Sequence, residues 1–250
     1  MKLENSFILA PGIGEKTEQK LWKNGVTHWD HVQDTSSIGS SRKETLEQFI
    51  QKARKNLEVR NSYFFSDKLP NKSLWRAYRN FEEDACFFDI ETTGLDKKRN
   101  KVTTIAFHRN GDTRTLVRGQ DLTQENIQRE IDGSSIMVSF NGKKFDQPFL
   151  EHNFNVEMKT PHLDLMYPCK RIGLTGGLKK IEKQLNVERD LEDIDGREAV
   201  RLWKKYEKKD RQEALDKLVK YNGYDARNLK DVLEDVHSRL EQKFYRPHVE

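Results

Sequence analysis

The feature that most constrains the fold is a series of short apolar segments in the middle of the chain. Ala85–Ile90, Val102–Arg109 and Thr113–Val117 are rich in β-branched and aromatic residues, which predicts three strands. The turn Asn110-Gly111-Asp112 separates the last two and is typical of a β-hairpin, because Asn and Gly tolerate the backbone conformation that such turns need. Three strands joined in this way predict an antiparallel meander.

The segments that follow alternate between helix and strand. A polar helix is predicted at Thr123–Asp132, a strand at Ser135–Phe140 and a short strand at His162–Met166. From Leu178 onward the pattern is almost entirely helical, apart from a loop around residues 191–196. A meander followed by alternating helices and strands predicts an α/β fold in which helices flank a mixed sheet.

The residues before this domain predict a small helical N-terminal region. A short helix is expected from Gly14 to Asn24, and a longer amphipathic helix from Ser40 or Ser41 to Leu57. We therefore divide the chain into a hairpin-like element at 1–35, a helical connector at 36–83 and the α/β domain at 84–240.

The overall charge favours a polyanionic partner only weakly. The 250 residues carry a net charge of +4, and 34% of them are hydrophobic, which is enough for a core of modest size. Basic residues form two clusters, and for each one a solvated helix face and a nucleic-acid contact both stay open. The clusters are Lys179, Lys180 and Lys183, and Arg201, Lys204, Lys205, Lys208, Lys209 and Arg211.

The cysteine content and the hydropathy of the chain are informative about the cellular compartment of the protein. The two cysteines, Cys86 and Cys169, form neither a disulfide framework nor a zinc-binding pattern. No apolar stretch is long enough to span a bilayer, and residues 1–14 lack the features of a secretory signal. These observations predict a soluble, cytoplasmic protein without a membrane partner.

Two carboxylates end the first predicted strand. Asp89 and Glu91 are two residues apart, so on a strand their side chains point to the same face. Two like charges side by side are unfavourable unless a cation lies between them, and oxygen ligands of this kind suit Mg²⁺. The plainer interpretation is a strand end whose two acids are solvated. The apolar residues before the pair and the Thr-Thr-Gly sequence after it argue against that interpretation.

Two further acidic residues lie near helices. Asp146 follows the strand and turn ending in Asn141, and falls in the first turn of a helix that begins near Phe145, where the helix dipole favours its charge. Tyr221 and Asp225 are four residues apart and share a helix face next to an apolar stripe. An ordinary helix-start acid and a partly exposed acid beside Arg227 are the plainer alternatives.

Together these segments resemble the DEDD superfamily of 3′–5′ exonucleases. That superfamily has D-x-E on its first strand, N-x-x-x-F/Y-D before a helix, and Y-x-x-x-D or H-x-x-x-D on a late helix. Residues 84–236 contain all three in this order, with the tyrosine of the tyrosine-type branch. His162-Leu163-Asp164-Leu165 and Gly176-Gly177-Leu178-Lys179 also resemble the YprB-type family of predicted exonucleases, which implies an RNase H-like fold.

The resemblance implies a role for each matching residue. The metal ligands for two Mg²⁺ or Mn²⁺ ions would be Asp89, Glu91, Asp146 and Asp225. Tyr221 would orient the attacking water, and Asn141 would contact the substrate or hold the turn. The residues at the position of the terminal nucleotide would be Thr92, Gly94 and Leu95. For His162 and Asp164 we favour a supporting role beside the site over direct metal binding.

The segment from Leu9 to Trp22 resembles a helix-hairpin-helix motif, which binds the DNA backbone without reading its sequence. Gly12 and Gly14 allow a tight turn, and backbone N–H groups at the start of the next helix can face a phosphate. Lys16 and Lys20 would add positive charge on the same side. A half-motif used for packing or for protein contact is the alternative.

The combined expectation is a metal-dependent nuclease, a 3′–5′ exonuclease acting on single-stranded DNA. A structure-specific endonuclease is the rival within enzymes. The rivals outside enzymes are a catalytically inactive DNA-binding module and a structural partner in a larger complex. The sequence identifies no protein partner.

Overall fold

The computed structural model describes residues 1–189 and 194–249, and the chain divides into two compact units. Residues 1–82 together with residues 235–250 form the first unit, and residues 83–234 form the second. Within the described residues, no helix combines the length and the apolar character that crossing a membrane requires.

The first unit consists of helices and 3₁₀ turns. Its helices are α1 (Glu15–Lys23), α2 (Ser40–Glu58), α3 (Ser62–Ser66) and α4 (Tyr78–Phe81), and its 3₁₀ segments include Leu3–Asn5, Trp29–Val32 and Asn71–Ala77. The helices expected at residues 14–24 and 40–57 thus agree with α1 and α2 to within one residue at each end.

A buried ion pair organises the segment before α1. Arg76 Nη1 lies 2.7 Å from Glu18 Oε1, and each of the two side chains is 1% exposed. Glu18 also accepts hydrogen bonds from the backbone N–H groups of Phe7, at 2.7 Å, and Ile8, at 3.2 Å. A buried charge is tolerated only when it is paired and hydrogen-bonded, so these contacts orient the chain that leads into α1.

The second unit is built on a mixed sheet of five strands. The strands are β1 (Ala85–Thr92), β2 (Val102–Arg109), β3 (Asp112–Val117), β4 (Ile136–Ser139) and β5 (His162–Asp164). Their order across the sheet is β3-β2-β1-β4-β5. The β1–β2 and β2–β3 pairs are antiparallel, and the β1–β4 and β4–β5 pairs are parallel. The predicted meander and the predicted α/β class are confirmed.

Helices flank this sheet. They are α5 (Gln124–Asp132), α6 (Asp146–Phe154), α7 (Met166–Arg171), α8 (Leu178–Leu185), α9 (Gly196–Lys209) and α10 (Gln212–Phe244). The last ten residues of α10 belong to the first unit. Of the loop expected around residues 191–196, residues 191–193 lie outside the described residues, and α9 begins at its end.

The central strand β1 has two chemically different faces. Phe88 and Ile90 join the main apolar cluster of the unit, together with Ile105 on β2 and Phe149 on α6. Side chains alternate along a strand, so Asp89 and its carboxylate partner two residues later point to the other face. The strand is hydrogen-bonded on both sides, which gives these carboxylates a rigid platform.

Candidate metal centre and nucleic-acid cleft

A cleft of about 360 Å³ opens where the parallel strands β1 and β4 end, lined by carboxylates from distant parts of the chain. One carboxylate oxygen from each of Asp89, Glu91 and Asp225 lies within 4.8 Å of the other two. The structure thus brings together two strand residues and a helix residue more than 130 positions later. This spacing allows one ion to touch all three groups.

The position of α10 against β1 places Asp225 in the cluster. The Asn222 side-chain amide donates hydrogen bonds to the Asp89 carboxylate, at 2.8 Å, and to the Asp89 backbone carbonyl, at 3.0 Å. Asn222 is fully buried, and Asp225 lies about one turn further along the same helix. The amide therefore fixes the helix next to the strand end and holds the Asp89 carboxylate.

Asp146 is a fourth acidic residue that lines the same cleft. It is the first residue of α6, is 4% exposed, and its Oδ1 accepts a hydrogen bond from the backbone N–H of Ile90 at 3.2 Å. It lies outside the closest group of three carboxylates. The hydrogen bond nonetheless connects the first residue of α6 to Ile90, which lies between Asp89 and Glu91 in the strand.

The electrostatics of the cleft are unfavourable when Asp89, Glu91 and Asp146 are all ionised. Burial raises the pKa of Asp89 to about 7. Burial, and then the charges of Asp89 and Asp146, raise the pKa of Glu91, while burial and then the charge of Asp89 raise that of Asp146. A divalent cation removes this repulsion, and a set of carboxylate oxygens is what Mg²⁺ or Mn²⁺ accepts. The residues present therefore fit a hard divalent cation.

Tyr221 lines the cleft one helical turn before Asp225 and is 5% exposed. The Lys179 ammonium and the Arg189 guanidinium each lie 5.3 Å from the centre of its ring. Burial, and then the charges of Glu91 and Asp89, raise the pKa of the Tyr221 phenol above its ordinary value. The phenol is therefore neutral near pH 7 and is not a base at that pH.

Sequence reasoning missed a buried network behind Asp225. Arg189 forms an ion pair with Asp225 and another with Glu182, at 3.2 Å between Nε and Oε2. Asn228 donates a hydrogen bond to Glu182 at 3.0 Å. Both ends of the Arg189–Glu182 pair are almost fully buried, at 6% and 2% exposure. The only available signal was the spacing of Asp225 and Asn228, which is too common on helices to single them out.

His162 and Asp164 support the turn between β4 and α6. Asp164 accepts hydrogen bonds from the backbone N–H groups of Asn141, at 2.7 Å, and Lys143, at 3.2 Å. His162 is hydrogen-bonded through Nε2 to Ser139 Oγ at 2.7 Å, and burial lowers its pKa to about 3. Both side chains thus hold the loop that carries Asn141 into the cleft, and neither is in the close carboxylate cluster.

The loop after β1 forms the edge of a second cavity, of about 640 Å³, lined by Thr92, Gly94 and Leu95. Thr92 donates a hydrogen bond from its hydroxyl to the carbonyl of Gly94 at 2.7 Å, and Leu95 is 86% exposed. A Cβ atom at Gly94 would lie 2.5 Å from the Asn100 side-chain oxygen. Packing against Asn100 is therefore one physical reason for a glycine at this position.

The hairpin-like segment lies in the first unit. Gly12 has a φ of +75°, and Gly14 precedes α1 in an extended conformation without a side-chain cap on the helix. Lys16 and Lys20 are exposed, while Glu18 between them is buried. The segment before the turn is only the 3₁₀ turn Leu3–Asn5. Lys16 thus lies in the first turn of α1 and Lys20 in its last turn.

Comparison of the sequence with models of protein families gives one match. A family model described as belonging to the RNase H superfamily matches residues 86–237, which include every carboxylate of the cleft. Comparison with curated protein sequences gives no match.

Several solved structures are similar to this chain at low identity. A structure described as the apo form of a nuclease is 19% identical, with a TM-score of 0.48, and the alignment covers 67% of this chain and 78% of that one. For Brucella melitensis NrnC with bound Mg²⁺ the identity is 21% and the TM-score 0.46, with 69% and 81% coverage. A family B DNA polymerase from Pyrobaculum calidifontis is 17% identical, with a TM-score of 0.47, and the alignment covers 60% of this chain and 24% of the polymerase.

Proposed function

The chain belongs to the RNase H superfamily, and on that premise we propose that it is a nuclease that hydrolyses phosphodiester bonds with Mg²⁺ or Mn²⁺. The observation that carries the proposal is the gathering of Asp89, Glu91 and Asp225 within 4.8 Å, with Asp146 on the adjoining wall. The raised pKa values of Asp89, Glu91 and Asp146 mean that these three carboxylates destabilise the metal-free protein when they are ionised. A shared cation is the simplest reason to keep them.

In this proposal Asp89, Glu91, Asp146 and Asp225 hold up to two divalent ions. Such ions supply Lewis acidity that activates water and stabilises the leaving oxygen. Asn222 keeps the Asp89 carboxylate in place through its amide hydrogen bond. The protein thereby provides fixed oxygen ligands and a partly buried cleft in which electrostatic interactions are stronger than in bulk water.

The cationic and phenolic groups of the cleft position the substrate. Tyr221 is neutral, and its hydroxyl orients the attacking water by donating or accepting a hydrogen bond. Lys179 lines the same cleft, so its ammonium balances the charge of the scissile phosphate. Asn141 faces the cleft from the β4–α6 turn and contacts the sugar or the phosphate.

The finer proposal is a 3′–5′ exonuclease of the DEDD tyrosine type, acting on single-stranded DNA. It rests on the order and spacing of the three acidic motifs and on the resemblance they carry. Thr92, Gly94 and Leu95 would contact the terminal nucleotide beside the carboxylates. The DNA backbone would be bound by α1 and the turn before it, through Gly12, Gly14, Lys16 and Lys20.

The experiment is a digestion assay with end-labelled single-stranded and duplex DNA and RNA, with Mg²⁺, Mn²⁺ or EDTA. We expect cleavage that depends on the metal and releases single nucleotides from the 3′ end. Internal cuts in a circular strand would identify the endonuclease instead. Absence of any cleavage with both metals would sink the proposal and leave the nucleic-acid-binding module.

Two aspartate-to-alanine substitutions, which make the same change in side-chain size, test the site itself. Asp89→Ala removes a metal ligand, so we expect at least a 100-fold loss of rate, equivalent to about 2.7 kcal/mol of activation free energy, with an unchanged fold. Asp231→Ala removes an exposed carboxylate from α10 and is the matched control. Full activity in Asp89→Ala, with the control also active, would contradict the assignment.

A further inference from the structure

The second cavity adjoins the carboxylate cleft. The residues that line both are Ile90, Glu91, Phe145, Asp195 and Gly196. Taken together, the two adjoining cavities extend from the carboxylates past the loop after β1 and along the start of α9, and this combined surface is called the groove below.

Helix α9 forms one wall of this groove with a basic face. Ala199, Leu202 and Trp203 are buried on the opposite side of the helix. The residues of α9 that line the groove are Arg197, Val200, Arg201 and Lys204. Positions three and four apart share a helix face, so the three cations form a single stripe. Along the axis, successive cations are about 4.5–6 Å apart, comparable with the spacing of phosphates along an extended strand.

The rest of the second cavity includes apolar side chains among its lining residues. Leu95 is 86% exposed, and Phe145 is partly buried against the core while it also lines the groove. Among the described residues that line the second cavity, the acidic ones are Glu91 and Asp195, both of which also line the carboxylate cleft. A ligand that fits this distribution carries a row of negative charges on one side and flat apolar groups on the other. A single polynucleotide strand has this chemistry.

We propose that Arg197, Arg201 and Lys204 bind successive backbone phosphates of a single strand whose end lies among the carboxylates, and so determine a preference for substrates longer than dinucleotides. The inference rests on the proposed nuclease function, because it uses the same cleft as the reacting end. It also divides the basic cluster at residues 201–211. Arg201 and Lys204 face the groove, whereas Lys205, Lys208, Lys209 and Arg211 do not line it.

Binding in the absence of turnover tests the stripe directly. The full chain is titrated with 5′-fluorescein single strands of DNA and of RNA with Ca²⁺ in place of Mg²⁺, and the anisotropy is followed over a series of NaCl concentrations. Each phosphate contact contributes about 0.7 to the slope of log K against log salt for a single strand, so the triple variant Arg197→Gln, Arg201→Gln, Lys204→Gln is expected to lower the slope by about 2.

A matched triple variant controls for the loss of net charge. Lys209→Gln, Arg211→Gln and Lys220→Gln remove the same three charges from exposed positions that do not line the groove. We expect its salt slope to remain within about 0.5 of the wild-type slope, since no phosphate contact is lost. Equal slopes for the wild type and the α9 variant, or an equal fall in both triple variants, would overturn the proposal.

Steady-state cleavage kinetics on substrates of different length test the proposed preference for longer strands. For the wild type we expect kcat/KM to rise at least 10-fold between a dinucleotide and a strand of about six nucleotides, because the longer strand reaches all three cations. In the α9 variant this rise should disappear through KM, with kcat on the longest strand unchanged. A wild-type enzyme that cleaves but shows no length dependence contradicts the inference alone. A wild-type protein that binds with the expected slope but never cleaves contradicts the nuclease proposal alone.

Discussion

At the scale of single residues, the cleft holds carboxylates closer together than their charges favour. Asp89 keeps a hydrogen bond from Asn222, and the nearby Arg189 charge acts to lower its pKa, yet burial outweighs both and the net shift is upward. The same balance holds for Glu91, where the Lys179 and Arg189 charges act against burial and repulsion. These residues therefore cost folding stability unless a proton or a metal ion is bound.

This balance predicts a pH-dependent stability of the metal-free protein. A carboxyl group whose pKa is about 4 when unfolded and about 7 when folded binds more protons in the folded state, so stability falls as pH rises between those values. In EDTA we expect the melting temperature to fall between about pH 5 and pH 7.5, and Mn²⁺ to restore it mainly at the upper end.

Asp89→Asn is the sharpest variant for this prediction. Asparagine can still accept the hydrogen bond from Asn222 but carries no charge, so near pH 7.5 in EDTA it should be more stable than the wild type by roughly 1–3 kcal/mol. Differential scanning calorimetry at two pH values measures the effect. If the variant has a lower melting temperature than the wild type at the higher pH, charge repulsion at Asp89 is not the main destabilising contribution to the folded state.

Arg189 illustrates how one residue can serve several others. It pairs with Asp225 and with Glu182, and its guanidinium lies over the ring of Tyr221. A buried pair of this kind contributes little net stability, but it fixes geometry because an unpaired buried charge is strongly disfavoured. The arrangement thus constrains both Asp225 and Tyr221.

At the scale of elements, the turn between β4 and α6 decides where Asp146 lies. Asn141 has a φ of +61°, and the Asp164 carboxylate binds its backbone N–H. Gly142 packs so closely that an added Cβ atom would lie 2.2 Å from Ser139 Oγ and 3.4 Å from Asp146 Cγ. The turn is therefore held by a carboxylate on β5 and by a glycine that leaves room for a serine on β4.

Gly142→Ala is expected to reduce activity more than stability. The methyl group must displace the turn, which costs about 1–3 kcal/mol as overpacking and moves Asp146 relative to the other ligands. We expect at least a 10-fold fall in kcat with a melting curve that remains cooperative. Gly39→Ala is the control, because Gly39 has φ −63° and no atom within 4 Å of an added Cβ. Equal activity of the two variants would contradict the role given to the turn.

At the scale of the whole molecule, the two units are not consecutive in the chain. The first unit contains residues 1–82 and also residues 235–250. Within it, Val236 and Leu240 are fully buried, and the His237 ring packs edge-on to Trp75 with 5.2 Å between ring centres. Every residue that lines the carboxylate cleft belongs to the second unit.

This division predicts how truncations behave. A chain of residues 83–250 lacks most of the first unit but keeps Val236, His237 and Leu240, whose apolar surface is then uncovered, so we expect it to aggregate. A chain of residues 83–234 removes that surface and should be more soluble. Size-exclusion chromatography of the two chains makes the comparison, and a monomeric 83–250 chain would contradict the prediction.

What the sequence alone determined is the local pattern. Hydrophobic periodicity predicted β1 to β3 and the ends of α1 and α2, because these depend on neighbouring residues and on turn chemistry such as Asn110-Gly111. The four acids were chosen as a set by the resemblance of three short motifs to the DEDD exonucleases, because the position of each acid alone is also typical of an ordinary strand-end or helix acid.

The tertiary structure decided which distant groups meet. Arg189 behind Asp225, Asn222 on Asp89, the basic face of α9 and the return of α10 into the first unit all join segments far apart in the chain. Such contacts depend on how elements pack, and packing is set by the summed burial of many side chains rather than by any local pattern. For that reason they became visible only in the folded protein.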